Sequence, residues 1–340
     1  MTIHNLHRTA RPRPVTRRYI LCSLCALLSA VSFASLEGQQ EVPTPGQTLK
    51  ITTEVVNVYA VVRQKGGRLL PDLNKDDFIL EEDKQPQTVK YFSRETDTPL
   101  TMGILVDTSP SQGRVLDVEK EEAKAFLRQV LRPKDLVHIL HFDVDVELLQ
   151  DFTADLRLLD KAIDENVING GGGGPTPGPF PTSSSGGATH LYDAVYLSAR
   201  ELLRNEVGRK VLIMLTDGED QGSRIKLEQS IEAAQKADII VYTMDISDRS
   251  FYYGRGVGFG GDSVLKKFSD ETGGRVLEVN RVKDTGAAFQ QIANELRTQY
   301  LLGYTPTNTK LDGTYRKIQV KTRTGDNKVQ ARRGYYAPEG

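Results

Sequence analysis

Cysteine is nearly absent. The 340 residues contain two, Cys22 and Cys25, both within the first 34 positions. Those positions read as an export signal that is cut away. Arg8, Arg11, Arg13, Arg17 and Arg18 precede an apolar stretch from Tyr19 to Phe33, no acid interrupts them, and Ser32 and Ala34 supply small residues for cleavage. The stretch is shorter than the roughly 20 residues of a membrane span. Arg17-Arg18 also fits a twin-arginine signal, a route that ranks below general secretion because paired arginines are common in any basic leader. Neither cysteine follows the Gly or Ala of a lipoprotein signal. With 1–34 removed, the chain has no thiol, which excludes disulfides, zinc–thiolate sites and thiol catalysis. Histidine is scarce as well, because only His138, His141 and His190 remain. A dominant charge is also missing. The whole chain carries −1, and losing five Arg takes the basic residues from 44 to 39 against 45 acids, a net −6. Nothing in that balance favours nucleic acid. No membrane span is expected in the mature chain.

What is present falls into segments. A polar linker with Pro43 and Pro45 occupies 35–49. Residues 50–96 alternate as strands. Ile51, Thr53, Val55, Asn57, Tyr59 and Val61 share one face of a long strand, Lys65-Gly66-Gly67 turns the chain, and Phe78–Leu80 and Thr88–Phe92 give two more strands around an Asp83–Pro86 turn. About 45 residues bury too little to fold alone. From 97 to 298 the pattern alternates β and α. Strands are expected at 101–106, 136–142, 145–150, 210–216, 238–244 and 275–279, and helices at 115–131, 155–165, 190–204, 224–236, 262–271 and 284–298. The apolar runs at 101–106 and 210–216 suit strands covered on both faces. Only Asp143 and Val144 separate 136–142 from 145–150, which predicts an antiparallel hairpin at the edge of a mostly parallel, doubly wound sheet. Residues 299–340 return to β at 300–304, 315–322 and 329–336. These strands are expected to complete the sheet begun at 50–96, so that the α/β domain is inserted in, or flanked by, a small β-sandwich. The Gly-, Pro-, Ser- and Thr-rich stretch 169–187 is of low complexity. It lacks the Lys-Ser/Thr of a phosphate-binding loop.

The chemistry concentrates where buried strands end. Met102–Ser111 runs apolar and then stops at Asp107-Thr108-Ser109-Pro110-Ser111, a D-x-S-x-S element. Open α/β sheets place their ligands at the carboxyl ends of strands. A carboxylate and two hydroxyls are hard oxygen donors, suited to Mg²⁺, Mn²⁺ or Ca²⁺ rather than to zinc or copper. Thr189 starts a helix, and Leu212–Gly218 is a second buried strand, delivering Asp217. Asp220 and Asp245 lie near the same edge and read as solvated loop carboxylates. His138 and His141, at i and i+3 on a strand, face opposite sides and so do not pair on a metal. Tyr252 and Tyr253 could belong to a partner surface.

Together, D-x-S-x-S, Thr189 and Asp217 resemble the von Willebrand factor A domain and its metal-ion-dependent adhesion site, over roughly 97–298. Asp77-Phe78-Ile79-Leu80-Glu81-Glu82-Asp83, Tyr300-Leu301-Leu302-Gly303-Tyr304-Thr305-Pro306 and Arg333-Gly334-Tyr335-Tyr336 resemble a secreted, acidobacterial-type group of proteins carrying such a domain. The resemblance implies that Ser109 and Ser111 hold a divalent cation directly and that Thr189 does so directly or through water. Asp107 and Asp217 would hold its waters. Neutral hydroxyls leave much of the +2 charge uncompensated, so the implied partner is a protein presenting Asp or Glu. It further implies that carboxylate capture shifts Thr189 and the helix at 284–298.

Three classes of function follow. The first is a non-enzymatic, cation-dependent binding or adhesion module, exported to the periplasm, cell surface or medium. The second is a hydrolase or phosphoryl-transfer enzyme using the same metal. The sequence has no G-x-S-x-G elbow, and no Lys or His adjoins Ser109 or Ser111. The third is a scaffold whose cation meets no acidic partner.

Overall fold

Strand β5, Leu100–Asp107, is buried along its whole length. That is possible only because sheet neighbours flank it and helices cover both its faces. A computed structural model describes residues 55–94, 98–168, 189–246, 261–279 and 281–340. The signal stretch, the linker, the segment 169–187, and Tyr252 and Tyr253 lie outside the described residues.

The remaining strands are β1 Val56–Arg63, β2 Phe78–Glu82, β3 Gln85–Gln87, β4 Val89–Arg94, β6 Leu136–Phe142, β7 Val146–Thr153, β8 Arg209–Thr216, β9 Ile239–Asp245, β10 Val276–Glu278, β11 Tyr300–Tyr304, β12 Tyr315–Thr322, β13 Lys328–Ala331 and β14 Gly334–Tyr336. The α-helices are α1 Leu116–Val130, α2 Leu156–Glu165, α3 Leu191–Leu197, α4 Leu227–Lys236, α5 Gly261–Thr272 and α6 Thr285–Leu296. The central sheet has the order β10-β9-β8-β5-β6-β7. Its first five strands run parallel, and β7 closes the edge antiparallel to β6. Even-numbered β5 residues, Met102, Ile104 and Val106, pack with α1, α2 and α6. Leu105, Leu212 and Met214 pack on the opposite face with α3, α4 and α5. The expected doubly wound sheet is present.

Helix α3 passes into a π-helical turn over Ser198–Leu203. Helix α4 starts at Leu227 rather than at 224. The Asp193 carboxylate accepts from the amides of Arg224 and Ile225 and holds them outside the helix.

Residues from both ends of the described chain build two further sheets, β13-β1-β11-β4 and β14-β12-β2-β3. Val56, Val58, Ala60 and Val62 of β1 share a core with Phe78, Leu80, Tyr300, Leu302, Tyr304 and Ile318. The terminal strands were expected to finish one sheet, but they contribute to two. The core face of β1 is the even register, while Tyr59 on the odd face packs against the α/β core. The run read as one strand, 329–336, breaks at Arg332-Arg333, and β13 and β14 join different sheets. The break has a physical cause. Arg332 pairs with Asp238 and donates to Asn57 O, and Arg333 pairs with Asp270, so the two side chains are tied to different parts of the fold. Strand β3 was not anticipated. Asp83 and Lys84 both take left-handed φ (47° and 68°), reversing the chain in two residues, so pairing resumes at Gln85. Pro86 is tolerated because β3 is an edge strand.

Candidate metal centre

The chain leaves β5 toward β6 on one side and reaches β9 from β8 on the other. The strand order therefore reverses between β5 and β8. Such a reversal opens a crevice at the carboxyl ends of the strands, the general ligand position of this architecture. Asp107 is the last residue of β5, and Asp217 follows the last residue of β8. Both are buried, at 0% and 1% exposure.

Local bonds fix the loop after β5. The Asp107 carboxylate accepts from Ser109 N at 2.9 Å through Oδ1 and from Thr216 Oγ1 at 2.6 Å through Oδ2. The second bond crosses the crevice. Ser109 Oγ and Ser111 Oγ face each other at 2.9 Å. Ser109 is buried and Ser111 half-buried. Thr108 N donates to Phe142 O and its hydroxyl to Asp143 Oδ2, which ties this loop to the β6–β7 turn. From the same turn, Asp143 O accepts from His190 N at 2.7 Å, and next to it Thr189 exchanges both backbone bonds with Gln221 (3.0 and 2.8 Å). The buried Thr189 is thereby fastened to the loop that carries Asp217. Gly218 makes the exit from β8 possible. Its φ is +81°, and a Cβ there would stand 2.7 Å from Gly261 O.

Like charges meet at this point. Burial, and then the Asp217 charge, pushes the Asp107 carboxyl up to about 7, against the pull of its bonds to Ser109 and Thr216. Glu119, on α1, was not foreseen. It is 1% exposed, and burial followed by Asp107 and Asp217 raises its carboxyl well above the ordinary value. Neither of its oxygens has a hydrogen-bond partner. An acid at 119 among the apolar positions 116, 123, 126, 127 and 130 of one helix stripe was the available signal. Among the described residues, no group of three or more His, Cys, Asp or Glu is arranged to hold a metal. Coordination here would therefore depend on hydroxyls.

The other candidates differ in place and partners. Asp245, expected to be solvated, is 5% exposed at the end of β9. Asp220 accepts from Ser223 Oγ and Tyr192 N. His138 lies in the core against Ser198 Oγ at 3.1 Å, and His141 meets Glu147 across the hairpin.

The profile of the von Willebrand factor type A domain matches residues 102–295, more than half of the chain. The chain belongs to this family. An uncharacterized protein of Borreliella burgdorferi is 26% identical over 196 residues, covering 52% of this chain and 53% of its own. The chain thus spans about half the length of that curated relative. Among solved structures, a von Willebrand factor type A protein from Catenulispora acidiphila is similar with a TM-score of 0.47 and 11% identity, over 77% of this chain and 73% of that one. Proximal thread matrix protein 1 of the mussel byssus, solved with a zinc-occupied MIDAS motif, has a TM-score of 0.46 and 14% identity, over 64% and 50% of the two chains. Among the described residues, no helix is long and apolar enough to cross a membrane.

Proposed function

We propose that this chain is an exported binding module in which the von Willebrand factor A domain captures an acidic group of a partner protein through a divalent cation. One observation carries the reading. Two buried carboxylates end adjacent strands at the crevice, the facing Ser109 and Ser111 hydroxyls lie on the loop that follows Asp107, and the Asp217 charge acts against that of Asp107. Buried like charges repel each other, and a hard cation held between them relieves that repulsion. The donor set fits Mg²⁺, with Mn²⁺ and Ca²⁺ sharing its oxygen chemistry.

In this reading Ser109, Ser111 and Thr189 offer neutral oxygens to the ion. Asp107 and Asp217, already committed to local bonds, orient its waters. The bound ion supplies incompletely compensated positive charge to a guest Asp or Glu. Thr216 keeps Asp107 aimed across the crevice, and the Thr189–Gln221 pairing ties the threonine to the loop after Asp217. Residues 1–34 are read as the cleaved export signal, 97–298 as the binding domain, and 50–96 with 299–340 as the sandwich that carries it.

The test is thermal unfolding with magnesium against chelator. The native chain should gain stability with the ion, and Asp217→Ala should fold but lose that gain. An unchanged gain in Asp217→Ala means the site is misassigned. Capture of envelope proteins on the immobilised chain should require magnesium and fail in Ser109→Ala. Metal-dependent hydrolysis of esters or phosphates, lost in Asp107→Ala, would move the assignment to a hydrolase.

A further inference from the structure

We propose that Glu119 is a further anionic member of this cation site, acting on the ion by its charge and through water rather than as a direct ligand. The proposal rests on the cation-site reading above and extends it to α1. The sheet-facing stripe of α1 is Leu116, Glu119, Ala123, Phe126, Leu127 and Val130, and Glu119 is its single acid. The residue lies early in the helix, just after the loop that bears Ser109 and Ser111. At 1% exposure it has neither solvent nor a hydrogen-bond donor on either oxygen. An unpartnered buried carboxylate is strongly disfavoured, and an apolar side chain would satisfy the packing at this position.

The charges that act on Glu119 are Asp107 and Asp217, of its own sign. A structural ion pair would show the opposite arrangement. Gln112, fully buried on the serine loop, has an unpartnered Oε1 as well, while its Nε2 reaches Ser111 Oγ at 3.4 Å. Carboxylate and amide oxygens only accept, so what the interior lacks is donors. The waters of a hydrated Mg²⁺ or Mn²⁺ are such donors, and these ions keep several of them. Three negative charges around one +2 ion also favour its retention before any partner arrives. Outer groups that orient a metal's surroundings are often as important as the ligands themselves.

The experiment is calorimetric titration of the full chain with Mn²⁺ and with Mg²⁺, comparing the wild type, Glu119→Gln, Glu119→Leu and Asp217→Ala. Unfolding in chelator serves as the check on folding. Glu119→Gln keeps the shape and removes the charge. It should unfold in chelator no earlier than the wild type and bind Mn²⁺ about 10–100-fold more weakly, the usual range for outer-sphere partners. Glu119→Leu should weaken binding in the same direction. If Glu119→Gln binds as the wild type does while Asp217→Ala does not bind, the role given to Glu119 is overturned and the cation site stands. If the wild type binds neither ion, the cation site falls and this proposal falls with it.

Discussion

At the scale of the residue, His138 shows how a rare titratable group is made inert. It sits fully buried on β6 opposite Gly103 of β5, and a Cβ on Gly103 would stand 2.4 Å from its ring. The glycine in an otherwise apolar strand is the space the imidazole occupies. Burial lowers the ring's pKa to about 4, with the Asp151 charge a smaller opposing influence. The sign of the stability effect follows. Below pH 6.5 the unfolded chain takes up a proton on His138 and the folded chain does not, so stability falls as the pH drops from 6.5 to about 4. A shift of this size corresponds to roughly 3–4 kcal/mol. Asp107 acts in the opposite sense in cation-free protein, because a raised carboxyl favours the fold at low pH. Comparing variants removes that contribution. Denaturant unfolding at pH 7 and pH 5 should show a smaller acid loss for His138→Gln than for the wild type, and equal losses would rule out His138 as the source.

At the scale of the element, the three stretches that carry the resemblance to the secreted group meet in one buried network. Glu82, ending β2, accepts from Tyr304 Oη of β11 at 2.6 Å and from Tyr335 Oη of β14 at 3.0 Å, with Arg316 of β12 at 3.7 Å. Both tyrosine hydroxyls are held well above their ordinary pKa, first by burial and then by Glu82, through its hydrogen bond and its charge. Glu82→Leu leaves two hydroxyls without their acceptor and takes the buried carboxylate away from the Arg316 guanidinium, whose own bonds go to Asn308 O and Lys310 O. Breaking such a group from one side costs about 3–5 kcal/mol. A midpoint of denaturation within error of the wild type would show that the network contributes nothing.

The same network explains what the sequence could and could not reveal. Periodicity exposed the elements of the α/β half. Asp107, Ser109, Ser111 and Asp217 stood out because they follow apolar runs at strand ends, and Thr189, at a helix start, joined them through the family resemblance. The sandwich was harder to read. Its pairings join residues more than 200 positions apart, such as Val58 with Leu302, and no local pattern encodes such partners. The break between β13 and β14 depends on Asp238 and Asp270, which lie 94 and 63 positions from the arginines they pair with. Glu119 was hidden for a related reason, because an acid in an apolar stripe becomes informative only when Asp107 and Asp217 are seen to act on it.

At the scale of the whole molecule, α6 is where the two halves are joined. Glu295, 1% exposed near its end, pairs with Arg63 of β1 and with Arg275 beside β10 at 2.6 Å. Arg209, opening β8, donates to Leu296 O at 2.7 Å and to Gln299 Oε1 at 2.9 Å. Strand β11 follows within four residues and pairs with β1. Any movement of α6 that accompanies ligand capture must therefore strain the Arg63–Glu295 pair or carry β1 with it. Glu295→Gln removes the charge that two guanidiniums share and leaves them partly buried. The expected cost is about 3–5 kcal/mol. The position of the loss matters more than its size. Hydrogen exchange should quicken in α6 and β1 together, because each is the other's anchor, while the β5–β8 core stays protected. Faster exchange confined to α6, with β1 unchanged, would mean that the ion pair merely caps a helix end and transmits nothing to the sandwich.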